Sequence, residues 1–203
     1  MTKIKASDTE WLQWIEIQKA ATEKGLVGED LPSAIEMLDR YLAGDLPHDL
    51  RREAVAFRAT LYQEQGNLAA AKSNFLSALE LAVELDHVRF ELEDSLAEIS
   101  KKLGDTEEAD RWYVASLRTA AADPRVAGGG FLLRLLKFRG ERGLNNEEQK
   151  LVRKVVHQSW HLLRVEGEPD LSDLVGTARK LRKAQLGPFS AERPLTPKAY
   201  TGP

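Results

Sequence analysis

The sequence predicts an all-α chain built from stacked helix pairs, and three observations carry that expectation. Apolar residues recur at three- and four-residue spacing through most of the chain, as in Val55, Ala59 and Tyr62 or Leu92, Leu96 and Ile99. That is the period of an amphipathic helix. The periodic runs are separated by glycines followed by Asn, Asp or Pro, the residues that stop one helix and start the next. Third, Ala34, Ala71 and Ala109 lie 37 and 38 residues apart, and Gly66 and Gly104 lie 38 apart. A constant step of this size marks a unit that buries its apolar stripe against the next copy of itself.

The first helix is expected from Ser7 or Thr9 to Lys24, because Ser7 with Glu10 has the spacing of a capping box and Trp11, Trp14, Ile15, Ile17 and Ala21 form an apolar face. The run from Gly25 to Asp30 is a turn. Pro32 suits the opening turn of a second helix, Ala34, Ile35, Leu38, Tyr41 and Leu42 give its stripe, and Gly44 stops it. The unit from Arg52 to Leu85 is the clearest. Val55, Ala59 and Tyr62 line its first helix, Gly66 ends it, Asn67 caps the next, and Ala71, Phe75, Ala78, Leu79 and Ala82 line the second. Ala59 and Ala71 are small enough for the two backbones to approach closely.

In the third unit Leu92, Leu96, Ala97, Ile99 and Leu103 build the first helix, and Asp105 with Glu108 predicts a capping box for a second carrying Ala109, Trp112, Tyr113 and Leu117. After a flexible Gly128–Gly130 turn, Leu132, Leu135 and Leu136 alternate with basic residues. A partner helix is expected to start at Asn145 or Asn146 and to run through Leu151, Val152, Val155 and Val156 to Gly167. Asp170 caps a terminal helix with Leu171, Leu174, Val175, Ala178 and Leu181 inside. From Gly187 the four prolines of the tail rule out a helix.

The Arg52–Leu85 unit resembles a tetratricopeptide (TPR) repeat, with a small residue and an aromatic in the first helix, then Gly, then Ala, an aromatic and Ala in the second. Arg58 departs from that pattern, standing where the family prefers Leu, and the usual Pro after the second helix is absent. The resemblance implies an all-α, right-handed α-solenoid of three to four TPR-like helix pairs plus a C-terminal helix and an extended tail. The expected domain spans residues 1–186, with pairs at 8–44, 49–85, 88–122 and 130–166 and a terminal helix at 170–186, followed by the proline-rich tail 187–203. The repeat period exceeds the family's by about one helical turn, which keeps successive stripes in phase.

Composition narrows the function classes. Hydrophobic residues make up 42% of the 203, enough for a core, and charged residues 30%, as suits exposed helices. The absence of cysteine excludes disulfides, thiolate catalysis and Cys-type zinc sites. No apolar run approaches the roughly 20 residues of a membrane span, and the N-terminus has no signal-peptide pattern, so a cytoplasmic protein without a membrane role is expected. Charge is divided unevenly: residues 1–123 carry 14 basic and 24 acidic side chains, residues 124–203 carry 15 and 8. Such asymmetry suits an oriented partner or head-to-tail self-association.

In the TPR family the first helix of each pair lines a concave groove. Carried over, this places Glu53, Ala56, Thr60 and Gln63 beside Glu91, Asp94, Glu98 and Lys101. The wall is mostly acidic. The clamp of Lys, Arg and Asn that some members use to grip a peptide carboxylate is missing, so the implied ligand is a basic protein segment or peptide. The expected role is a non-enzymatic adaptor or scaffold without cofactor. The alternative is nucleic-acid or anion binding through Arg134, Lys137, Arg139, Arg142, Arg179, Lys180, Arg182 and Lys183. It is disfavoured by a pI near 5.9 and by the lack of interleaved aromatics.

Other constellations are weak. His157 and His161 stand four apart, but Gln158 replaces the acid of HExxH and no third ligand is evident, so no metal site is expected. No Ser/His/Asp arrangement or catalytic carboxylate pair stands out. The tail carries Phe189, Leu195 and Tyr200 as anchors and is expected to dock within the molecule or across a homodimer.

Overall fold

The computed structural model describes residues 6–82, 87–123, 125–126, 129–140 and 143–166. These residues contain helices and short connections and no strand. The chain divides into two compact units, residues 1–127 and 128–203.

Among its described residues the first unit consists of three helix pairs: α1 (Asp8–Thr22) with α2 (Leu31–Leu42), α3 (His48–Glu64) with α4 (Leu68–Leu81), and α5 (His87–Lys102) with α6 (Thr106–Ala122). The second and third pairs close with the same turn. Gly66, at φ 81°, donates its N–H to the Gln63 carbonyl at 3.0 Å, while Asn67 donates to the Tyr62 carbonyl at 2.9 Å. Gly104, at φ 83°, donates to Lys101 at 3.1 Å and Asp105 to Ser100 at 2.9 Å. This is the Schellman arrangement, which needs a left-handed residue after the helix and therefore favours glycine. The next residue caps the following helix: Asn67 Oδ1 accepts from the Ala70 N–H, and Asp105 Oδ1 from the Glu108 N–H. A three-residue link thus satisfies the free ends of two helices and fixes an antiparallel pair.

The first pair is joined differently. Past α1 the chain widens into a π-helical turn, Glu23–Val27, in which the Gly28 N–H reaches the Glu23 carbonyl at 2.8 Å. Glu29 takes φ 58°, and Asp30 caps α2 through the Ser33 N–H at 3.2 Å. Gly25 is buried here: a Cβ on it would lie 2.8 Å from Ala34 Cβ. The close approach of the turn to α2 is what this glycine permits, a role distinct from the turn-forming one its sequence context predicts.

Packing follows the repeat. Ala34, Ala71 and Ala109 are all fully buried, as are Ala59 and Leu96. One core cluster joins Trp14, Ala21, Ala34, Ile35 and Leu38 to Leu50, Ala54 and Leu61 of α3. A second joins Val55 and Ala59 of α3 to Ala71, Phe75, Ala78 and Leu79 of α4 and to Leu92, Leu96 and Ile99 of α5. In this second cluster α4 packs on both α3 and α5, so each pair is covered by its neighbour. Truncating one of these large side chains removes about 2–5 kcal/mol.

Some expectations need correction. Ser7 and Glu10 do form the full capping box, but Ile15 and Leu103 are exposed rather than core. Leu103 falls at the C-cap of α5, beyond the packed stripe, and Ile15 lies on the edge of the stack. At α6 only half of the expected box exists, because the Asp105 N–H is already used by the turn. The Glu108 carboxylate instead pairs with Lys72 of α4 and accepts from Trp112 Nε1 at 3.4 Å.

In the second unit α7 (Gly129–Arg139) packs with α8 (Asn146–Glu166). A capping box starts α8: the Asn145 N–H donates to Glu148 Oε2, and the Glu148 N–H to Asn145 Oδ1, both at 2.9 Å. Phe131, Leu132, Leu135, Val152 and Val155 are buried. The expected helix at 170–186 and the tail 187–203, with Phe189, Leu195 and Tyr200, lie outside the described residues.

Candidate binding surface

Helix α3 presents three faces, and each has a different job. Leu50, Ala54 and Leu61 pack toward the first pair, and Val55 and Ala59 toward the second. Arg58 sits between these two faces: its Nε donates to Asn74 Oδ1 of α4 at 2.8 Å, and its Nη1 pairs with Asp39 of α2. At 100° per residue, Glu53, Ala56, Thr60 and Gln63 lie on the side of α3 opposite Arg58, away from both second helices. All four are half-buried. Glu53 is ion-paired with Arg52 at 3.0 Å, and the Thr60 hydroxyl donates to the Ala56 carbonyl at 3.3 Å.

Helix α5 repeats the pattern. Its buried arc holds Leu92, Glu93, Leu96, Ala97, Ile99 and Ser100, which leaves Glu91, Asp94, Glu98 and Lys101 on the complementary side. Glu91 and Lys101 are exposed, while Asp94 and Glu98 are half-buried. Glu98 accepts from the Tyr113 hydroxyl of α6 and pairs with Lys101 at 3.4 Å. Glu98 therefore also ties the third pair together. The two rows share one character, polar and net acidic, on first helices of consecutive pairs.

Glu91 also borders a cleft of about 440 Å³ lined by His87, Phe90, Arg125 and Val126. Its floor is apolar, since Phe90 and Val126 are almost fully buried. Arg125 forks onto Asp123, with Nε to Oδ1 and Nη2 to Oδ2 both at 2.9 Å. The Arg125 hydrogen bonds hold the Asp123 carboxyl below the usual range.

Behind the α5 row lies a polar group that the pattern did not single out. Glu93, 2% exposed, accepts from Thr119 Oγ1 at 2.6 Å and from Arg89 Nε at 2.9 Å. Arg89 in turn donates to the Ala82 carbonyl at the end of α4, 3.1 Å away. Burial raises the Glu93 carboxyl above its ordinary value, against the opposing pull of Thr119 and Arg89. The available signal was a Glu inside the apolar arc Leu92, Leu96, Ala97. For Arg58 it was a charge where the resemblance asks for Leu.

Of the basic residues, Arg134 and Lys137 are exposed on α7. Arg139 turns inward and pairs with Glu148 at 2.6 Å, with 12% of its side chain exposed. Arg142, Arg179, Lys180, Arg182 and Lys183 lie outside the described residues, as does Gly128 of the glycine run. His157 is exposed on α8, and the described residues hold no cluster of three or more metal-ligand side chains. No helix among them is long and apolar enough to cross a membrane.

Stacked helix pairs, two of them closed by the same turn, with small residues buried at equivalent positions, define an all-α solenoid of TPR-like repeats. The fold is shared with solved structures. One is a point variant of a kinesin light chain candidate from Podosopora anserina with nearly identical TPR-like repeats: 14% identity, TM-score 0.56, covering 85% of this chain and 94% of that one. Another is BtubC (BKLC) from P. vanneervenii: 17% identity, TM-score 0.56, covering 89% and 84%. No protein-family model matches the chain, and no curated protein does.

Proposed function

We propose that the protein is a non-enzymatic scaffold, cytoplasmic in setting, that binds a basic protein segment along the first-helix faces of α3 and α5. The observation that carries this reading is the row Glu53, Glu91, Asp94 and Glu98, net acidic with Lys101 and set opposite the buried arcs of its two helices. TPR-like solenoids expose an extended surface rather than a closed pocket, which suits an extended segment held by several dispersed contacts. The Phe90–Val126 cleft beside Glu91 would take one apolar side chain of such a segment.

The test is anisotropy titration of labelled basic, neutral and acidic extended peptides against the full chain, with a single-stranded RNA in parallel. Basic peptides should bind best. The variants Glu53→Lys and Glu91→Lys should each weaken them by up to about tenfold at low salt, as expected for partly exposed ion pairs. Preference for acidic peptides, or tight RNA binding unchanged by both reversals, would overturn the proposal in favour of the basic residues of the second unit.

A further inference from the structure

The outer face of α1 carries a row that no other described element of the first unit covers. Asp8, Leu12, Ile15 and Lys19 follow one another at spacings of four, three and four, so they form a single stripe along the helix. Leu12 is 64% exposed and Ile15 50%, whereas Trp14 and Ala21 on the opposite face are buried. The 4-3-4 spacing is that of alternating d and a positions in a two-helix seam, here with two apolar residues at the centre and one charge of each sign at the ends.

This order is self-complementary when reversed. In an antiparallel pair of α1 helices whose two-fold axis passes level with the Gln13–Trp14 bond, Leu12 faces the second copy's Ile15 and Asp8 faces the second copy's Lys19. Both contacts occur twice by symmetry, as an isologous interface requires. A parallel pairing would oppose Asp8 to Asp8 and Lys19 to Lys19. The charges thus select one orientation as well as one partner.

We infer that the exposed stripe of α1 is a homodimerisation surface, occupied by α1 of a second copy of this chain in antiparallel register. One helix pair makes a small interface, so the dimer forms and dissociates with protein concentration. The stripe shares no residue with the α3 and α5 rows, so the inference stands or falls apart from the peptide-binding proposal.

Sedimentation equilibrium of the full chain over a dilution series reads the association directly. The native protein should show a monomer–dimer equilibrium. Because Ile15 is exposed in the monomer, Ile15→Asp should leave helical circular dichroism unchanged while raising the dissociation constant at least about tenfold. Asp8→Lys and Lys19→Asp should each weaken the dimer, and the double exchange should restore it, since every end contact is then again between opposite charges. The chain has no native cysteine, so single-cysteine variants report the register. Oxidising a mixture of Leu12→Cys and Ile15→Cys proteins should give the mixed disulfide in preference to either homodimer. A chain that stays monomeric at the highest concentration reached, a dimer indifferent to Ile15→Asp, or a double exchange weaker than either single one would each overturn the inference.

Discussion

Glu93 is the residue whose removal tests the packing argument most directly. Its carboxylate stands at the junction of three helices, accepting from Thr119 of α6 and from Arg89, whose other branch holds the last carbonyl region of α4. Glu93→Ala leaves the fully buried Thr119 hydroxyl without its acceptor, a cost of about 1–3 kcal/mol. It also removes the counter-charge of Arg89. Arg89 keeps its contact with Ala82 and is 29% exposed, so water relieves part of that second loss. The total should lie near the lower end of the range for a broken buried pair, about 3 kcal/mol, or roughly 10 °C in melting temperature for a unit of this size.

The isosteric Glu93→Gln separates charge from shape. Burial raises the carboxyl, so the folded protein binds this proton more tightly than the unfolded chain. The contribution is then fully present below the ordinary Glu value of 4.5 and declines as pH rises through the window between that value and the raised one. Where the two states differ by a full proton, the slope is about 1.4 kcal/mol per pH unit. Gln does not titrate. Urea unfolding of both proteins from pH 4 to 8 should therefore show Glu93→Gln gaining on the native protein as pH rises, while contributions from carboxylates common to both cancel. A difference that stays flat, or that turns in favour of the native protein, would mean that Arg89 and Thr119 outweigh desolvation, and the reasoning would be wrong.

Two glycines should fail for opposite reasons. Gly66→Ala meets no atom within 4 Å but must hold φ 81°, which costs about 1–2 kcal/mol, and Gly66→Asn should recover much of it. Gly25→Ala has no such strain but drives its Cβ into Ala34, so its cost of about 1–3 kcal/mol should be relieved by Ala34→Gly and not by Asn at residue 25. For Arg58, a double-mutant cycle of Arg58→Ala with Asp39→Ala, read by chemical denaturation, should give a coupling of up to about 1 kcal/mol, since Asp39 is half exposed. Zero coupling would leave the Asn74 hydrogen bond as the polar contact that positions Arg58.

Much of this fold was legible because the turn chemistry and the apolar period say the same thing. Gly66 and Gly104 are followed by Asn67 and Asp105, and only one local geometry uses a left-handed residue and an Asx cap in succession. Ala59 and Ala71 announced a close helix contact, and both are fully buried, as are Ala34 and Ala109 at the positions equivalent to Ala71. What the period cannot say is which side of a stripe has a neighbour. Ile15 belongs to the same apolar run as Trp14, yet among the described residues of the first unit α1 has helices on one side of it only. The candidate rows were legible in phase only: the spacing put Glu91, Asp94, Glu98 and Lys101 on one line, but the second task of Glu98, holding Tyr113, required the position of α6.

Arg58, Lys72 and Arg89 then share one physical role. Arg58 replaces an apolar residue at the edge between two buried faces of α3, and it reaches both α2 and α4. Lys72 reaches from α4 to Glu108 on α6, and Arg89 links the end of α4 to Glu93 and so to Thr119 on α6. In each case a long side chain joins second helices of consecutive pairs, on the side away from the acidic rows. The apolar clusters hold neighbouring helices together without direction, whereas these contacts have fixed donors and acceptors and so fix the angle from pair to pair. Under the proposed binding mode the contacts would be spread over α3 and α5, so that angle would have to be held. The polar network behind those helices is therefore the part of the structure that presets the spacing of the rows in front of them.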